Sequence, residues 1–133
     1  MLNRFLILLL LSISLFSCTD DRAPSGISSI IYYGEGDCMP PINTEAREYK
    51  PFTGKVYVIE KSIADTMINF DDSTSNKILK TNAIQGNFAI LVPPGTYYVM
   101  PDTLFYISSE NCVTVHPDDL IDQEFRFFKC TSF

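Results

Sequence analysis

A chain of 133 residues with a formal net charge of −6 at neutral pH repels nucleic acid and anionic headgroups, so no nucleic-acid partner is expected. Ten phenylalanines, seven tyrosines and eight prolines, with no tryptophan, favour strands broken by turns over long helices. A single histidine excludes a multi-histidine metal site, and four cysteines make sulfur pairing a central question.

Arg4 supplies a short positive segment, and Phe5 to Phe16 form an apolar run interrupted only by Ser12 and Ser14. That run has the length of a secretory h-region and falls short of the roughly 20 residues a spanning helix needs. Residues 1–17 therefore read as a signal peptide. It ends in Leu15, Phe16, Ser17 and Cys18, which resembles the bacterial lipobox: an aliphatic residue, one more, a small residue, then the cysteine that receives diacylglycerol. Leu15 is too large for an ordinary signal-peptidase site. The resemblance implies lipidation of Cys18 and anchorage in a membrane, which several acyl chains make stable. Residues 18–26, with Asp20, Asp21, Pro24, Ser25 and Gly26, read as a polar lipidated tether. The acidic pair behind Cys18 resembles the export signal of Bacteroidetes surface lipoproteins, which implies a surface-exposed place on the outer membrane. Acidic residues there favour the inner membrane in enterobacteria, and the periplasmic face stays open as the alternative.

Residues 27–133 read as one all-β domain of about seven strands. The first covers 27–33 and closes in a turn of Gly34, Glu35, Gly36 and Asp37; Cys38, Met39, Pro40 and Pro41 open a loop whose middle, Thr44 to Lys50, is polar. The next strand, 54–60, sets Val56 and Val58 on one face and Lys55, Tyr57 and Ile59 on the other, with both faces partly covered. Over 61–76, Ile63 and Met67 stand at helical spacing for one turn, while Asp71 to Asn76 is loop. Strands 77–83 and 88–92 form a hairpin around Gln85, Gly86 and Asn87, where the glycine takes positive φ. Pro93 and Pro94 end that ladder, since proline donates no backbone hydrogen bond. Strand 96–100 follows. The last pair, 112–115 and 123–129, forms a hairpin through Pro117, Asp118 and Asp119, with Phe125 and Phe127 facing the core.

The stretch GNFAILVPPGTYYVM resembles the signature of prealbumin-like sandwich modules, the carboxypeptidase regulatory-like and Cna B-type repeats, and VTVHPDDLIDQEFRF resembles their closing hairpin. The resemblance implies a seven-stranded antiparallel β-sandwich whose chain crosses between sheets at the PPG turn. It also implies a non-enzymatic role as a spacer or binding unit. The hydroxyisourate hydrolases of the same fold use several histidines and a YRGS-type terminus, whereas this chain has only His116 and ends in Lys129, Cys130, Thr131, Ser132 and Phe133. That activity is not expected.

His116 precedes Pro117 and reads as a solvated turn residue. Asp71 with Asp72, and Asp118 with Asp119 and Asp122, lack the alternating spacing of an EF-hand loop, so neither a metal nor a cofactor is expected. Gly34 and Gly36 have no following helix and read as turn glycines rather than a phosphate loop. Tyrosines 32, 33, 49, 57, 97, 98 and 106 either make a sugar- or protein-binding face or pack half-buried. The functional expectation is a lipid-anchored envelope module that binds a protein partner and catalyses nothing; the alternative is a carbohydrate-binding surface lipoprotein of a glycan-uptake system. With Cys18 acylated, Cys38, Cys112 and Cys130 remain for one bridge and one thiol in an oxidising compartment. The terminal hairpin sets Cys112 opposite Cys130. The prealbumin topology, with the first strand parallel to the penultimate one, implies that Cys38 lies at the other pole. The expected bridge is Cys112–Cys130, and its rival is Cys38–Cys130, which closes a larger ring.

Overall fold

The computed structural model describes residues 24–67 and 75–132. Nine strands occur among them: β1 (Gly26–Asp37), β2 (Lys50–Pro51), β3 (Gly54–Glu60), β4 (Leu79–Ala83), β5 (Asn87–Leu91), β6 (Gly95–Pro101), β7 (Cys112–Val115), β8 (Leu120–Ile121) and β9 (Glu124–Ser132). The two beyond the expected seven are the two-residue pieces β2 and β8, too short for any alternation to betray them. One helical turn, α1 (Lys61–Ala64), follows β3.

The strands form two sheets in a sandwich-like arrangement. One runs β4-β3-β6-β7, all antiparallel; the other centres on β1, with β2 and β5 along one side and β8 and β9 along the other. β5 is antiparallel to β1, whereas β8 and β9 are parallel to it, so the sandwich is mixed rather than purely antiparallel. Between the sheets lie Ile27 and Ile31 of β1, Val56 and Val58 of β3, Val99 of β6, and Phe125 and Phe127 of β9, all at most 3% exposed. Ile59, on the opposite face of β3 beside Tyr98 of β6, is buried too. α1 packs on those two strands, with the Lys61 ammonium 5.5 Å from the Tyr98 ring centre. Both faces of β3 are covered, as its sequence predicts.

Three expectations need correction. First, β1 does not turn at Gly34–Asp37 but continues through it, with Gly34, Glu35 and Gly36 beside Phe128, Lys129 and Cys130 of β9. The glycines are there for close approach: a Cβ on Gly34 would stand 3.0 Å from the Phe128 ring, and one on Gly36 2.9 Å from it. Second, β4 and β5 separate after the turn. Gln85 and Gly86 both take positive φ and a single bridge joins Ile84 to Asn87, after which β4 joins β3 and β5 joins β1. Third, the terminal hairpin does not form, because β7 pairs with β6 and β9 with β1. Pro117 to Gln123 carry the chain across to the other sheet, where parallel pairing with β1 buries Phe125 and Phe127. The Pro93–Pro94 segment likewise joins β5 of one sheet to β6 of the other.

The disulfide follows from the third correction. Cys38 is bonded to Cys130, with Cα atoms 5.4 Å apart, and Cys112 is a free, partly buried thiol. Parallel pairing brings the end of β1 alongside the end of β9. Cys112 sits in the other sheet opposite Tyr98, so the expected Cys112–Cys130 bridge is replaced by its rival.

Candidate functional site

The chain enters the sandwich at a clamped point. Ser25 Oγ donates to the Val92 carbonyl at 2.8 Å, Val92 N–H donates to the Ser25 carbonyl at 3.2 Å, and Gly26 N–H donates to the Asp119 carbonyl at 3.0 Å. The turn after β5 and the acidic turn before β8 thus hold the start of β1 between them. β1 then runs the length of the sheet, and its far end is fastened to β9 by the disulfide. Beside it, the Asp37 carboxylate accepts from the Ser132 hydroxyl at 2.6 Å and from Met39 N–H at 2.7 Å. These donors, Ser132 foremost, hold the Asp37 carboxyl below the usual aspartate range.

β6 starts near the clamp and ends away from it, so the loop from Asp102 begins far from the chain's point of arrival, with Tyr106 beside Phe127, and returns along β9 to Glu110 beside Gln123. It contains no strand, yet it is firmly tied. Asn111, 2% exposed, donates through Nδ2 to the carbonyls of Val99 at 2.9 Å and Tyr106 at 2.7 Å, while its Oδ1 accepts from Ser108 N–H at 2.9 Å. Ser108 Oγ in turn accepts from Glu110 N–H, closing a capping box around Ser108 and Asn111. The carboxamide does for this loop what a strand ladder would do. The result is that Phe105, Tyr106 and Ile107 stand 37–44% exposed on a hydrogen-bonded base. Tyr106 meets Phe127 of β9 edge-on, the ring centres 6.4 Å apart, and a cleft of about 210 Å³ between them is lined by Glu110, Glu124 and Arg126 among others. β9 pairs with β1 alone among the described strands, leaving the backbone of its other edge unladdered beside this loop.

The residues singled out from sequence scatter. His116 is exposed in its turn, where its carbonyl accepts from Asp119 N–H; Asp118 has positive φ and Asp122 borders a shallow depression on the outer face of β1 and β5. Among the described residues no three His, Cys, Asp or Glu side chains converge as metal ligands would. Cys18, Asp71 and Asp72 lie outside the described residues. Of the seven tyrosines only Tyr106 is exposed; Tyr32 and Tyr49 each lie 5.8 Å from the Arg126 guanidinium, and Tyr97 donates to the Pro93 carbonyl at 2.6 Å. Sequence reasoning missed Asn111 and the loop it ties. The available signal was the run Leu104, Phe105, Tyr106, Ile107 between two turn-rich stretches, with no period to mark it as strand or helix.

Comparison with protein-family models, curated proteins and solved structures finds no match to this chain.

Proposed function

We propose that this chain is a lipid-anchored envelope β-sandwich of the prealbumin-like type, held on the outer membrane through Cys18, which engages a protein partner and has no catalytic activity. The observation that carries the reading is the loop at Phe105–Ile107, which is apolar, exposed and pre-ordered by a buried asparagine at the end of the sandwich away from the tether. Apolar and aromatic groups on a rigid base lose little entropy on docking, which is the property of a binding hot spot. The module type is supported by the crossing of the Pro93–Pro94 turn between sheets, as the resemblance implies for that turn. Export is supported by the Cys38–Cys130 bridge, since disulfides persist in oxidising compartments. The carbohydrate reading has less support: the sandwich offers no platform of exposed tyrosines, and Tyr106 alone is a poor stacking surface.

The test is photo-crosslinking in the native membrane, with a photoreactive residue at Phe105 or Ile107 and a control at the exposed Asn82. A discrete protein adduct from the loop positions and none from Asn82 is expected. Equal adducts at all three positions refute the docking role, and reproducible glycan-array binding that Tyr106→Ala abolishes moves the assignment to the carbohydrate-binding alternative. Protease shaving of intact cells checks the address: a protein cleaved only after the outer membrane is permeabilised is periplasmic.

A further inference from the structure

Across the sheet from Gly26, where the chain arrives, stand Leu91 on β5 and Leu120 on β8, in one register row. Their side chains project from the same face, about 10 Å apart with only the glycine backbone between them. Both are large, apolar and mostly in water, at 68% and 52% exposure. Pro24, Pro93, Pro94 and Pro117 are exposed around the same end. The neighbouring charges are acidic, from Asp118, Asp119 and Asp122, and no lysine or arginine occurs in 89–95 or 116–123.

The length of chain ahead of this point sets how far the leucines can lie from a lipid on Cys18. Ser25 and Gly26 are hydrogen-bonded in place, and the stretch from Cys18 to Ser25 reaches at most about 25 Å when fully extended. A lipid on Cys18 therefore keeps this end of the sandwich within about 25 Å of the bilayer, close enough for the leucines to reach it. We infer that Leu91 and Leu120 enter the headgroup–acyl boundary of the leaflet that holds the Cys18 lipid, forming a second, weaker contact that sets the tilt of the domain. This rests on the lipid-anchor reading above. The orientation points the Phe105–Ile107 loop away from the membrane. The acidic flank requires a surface without net negative charge, because headgroup phosphates in excess repel Asp118 and its neighbours.

The absence of tryptophan makes the test direct. Full-length, lipid-modified protein carrying Leu91→Trp or Leu120→Trp is reconstituted into phosphatidylcholine vesicles with brominated acyl chains, with Phe105→Trp as the distal control and intact mass reporting the lipid. At the roughly 5–10 Å depth of an interfacial contact, both leucine-site tryptophans should emit at shorter wavelength and lose about half their intensity to bromine, while the control is unaffected. Adding anionic lipid should reduce the quenching. Lipid-modified protein with no quenching at either leucine site, or equal quenching at Phe105→Trp, overturns the inference and leaves the anchor standing. A mass without lipid overturns both. Blue-shifted but unquenched emission with a dimeric sedimentation coefficient shows that a second copy covers the leucines, and overturns the inference as well.

Discussion

Asn111 ties three backbone groups together through one side chain. It sits 2% exposed with three hydrogen bonds to backbone, so Asn111→Leu, which keeps the volume, leaves the buried Val99 carbonyl without its donor and unties the part-buried Tyr106 carbonyl and Ser108 N–H. The expected loss is about 2–4 kcal/mol in urea unfolding, together with fast hydrogen exchange across 102–111. A variant as stable as the wild type would mean that the loop repacks without its tie. Asp37 gives a pH dependence. Its carboxyl is depressed in the folded protein by Ser132 and by Met39 N–H, so its contribution is present above the unfolded aspartate pKa and lost as the pH falls through the lower, folded value. Carbon-13 NMR should place the Asp37 midpoint below the usual aspartate range, and Ser132→Ala should raise it. An unchanged midpoint in Ser132→Ala removes the hydroxyl as the cause.

At the scale of elements, the Gly34–Glu35–Gly36 segment explains how a long loop stays on the sheet. Phe128 lies across the two glycines, the Arg47 guanidinium stacks 4.4 Å from its ring centre and Tyr49 meets it edge-on. The loop from Cys38 to Tyr49 is thereby pinned to the outer face of β1 and β9. Gly34→Ala drives a methyl into the Glu48 carbonyl and the Phe128 ring, and should cost about 1–3 kcal/mol while exposing the loop to protease; Arg47→Ala removes only the stacked cation and should cost about 1 kcal/mol or less. If the two variants behave alike, the glycine floor is not what holds Phe128. The disulfide joins the same two strands. Cys38 and Cys130 are separated by 92 residues, a ring whose closure is worth up to about 4.7 kcal/mol of unfolded-state entropy. The Cys38→Ser/Cys130→Ser variant should lose about 3–5 kcal/mol, and peptide mapping should find Cys112 as the thiol open to alkylation. A linked Cys112–Cys130 peptide would contradict the parallel pairing of β1 and β9 outright.

For the whole molecule, the first and last of the described strands are partners, so the sheet built on β1 is complete only once β1 and β9 have met. Long-range parallel pairing of this kind slows folding, because loop entropy is lost before contacts compensate it. Refolding from urea should therefore be about tenfold slower or more for the Cys38→Ser/Cys130→Ser variant than for the oxidised protein, the bridge having pre-paired the two strands. If instead the folding arm is unchanged and only unfolding accelerates, β1 and β9 pair after the barrier. The same pairing organises the ends of the sandwich: the start of β1 is clamped where the chain arrives, its end is locked to β9, and the ordered loop lies away from the arrival point.

Strand β3 was legible from its own residues because alternation identifies a strand and which residues share a face, and the grouping of Val56 with Val58 needs no knowledge of the partner strand. The same holds for Phe125 and Phe127, for the single helical turn at Ile63, and for positive φ at Gly86, all of which depend on local stereochemistry. The cysteines of the folded domain were legible as one bridge and one thiol by counting. Only the tertiary structure decided which strand lies beside which. A period-two pattern is identical whether β9 returns against β7 or crosses to β1, and the choice is made by which arrangement buries both apolar faces at once. Cys38–Cys130, the floor that Gly34 and Gly36 make for Phe128, and the loop tied by Asn111 are all products of that choice, set between residues far apart in the chain, where local pattern carries no information.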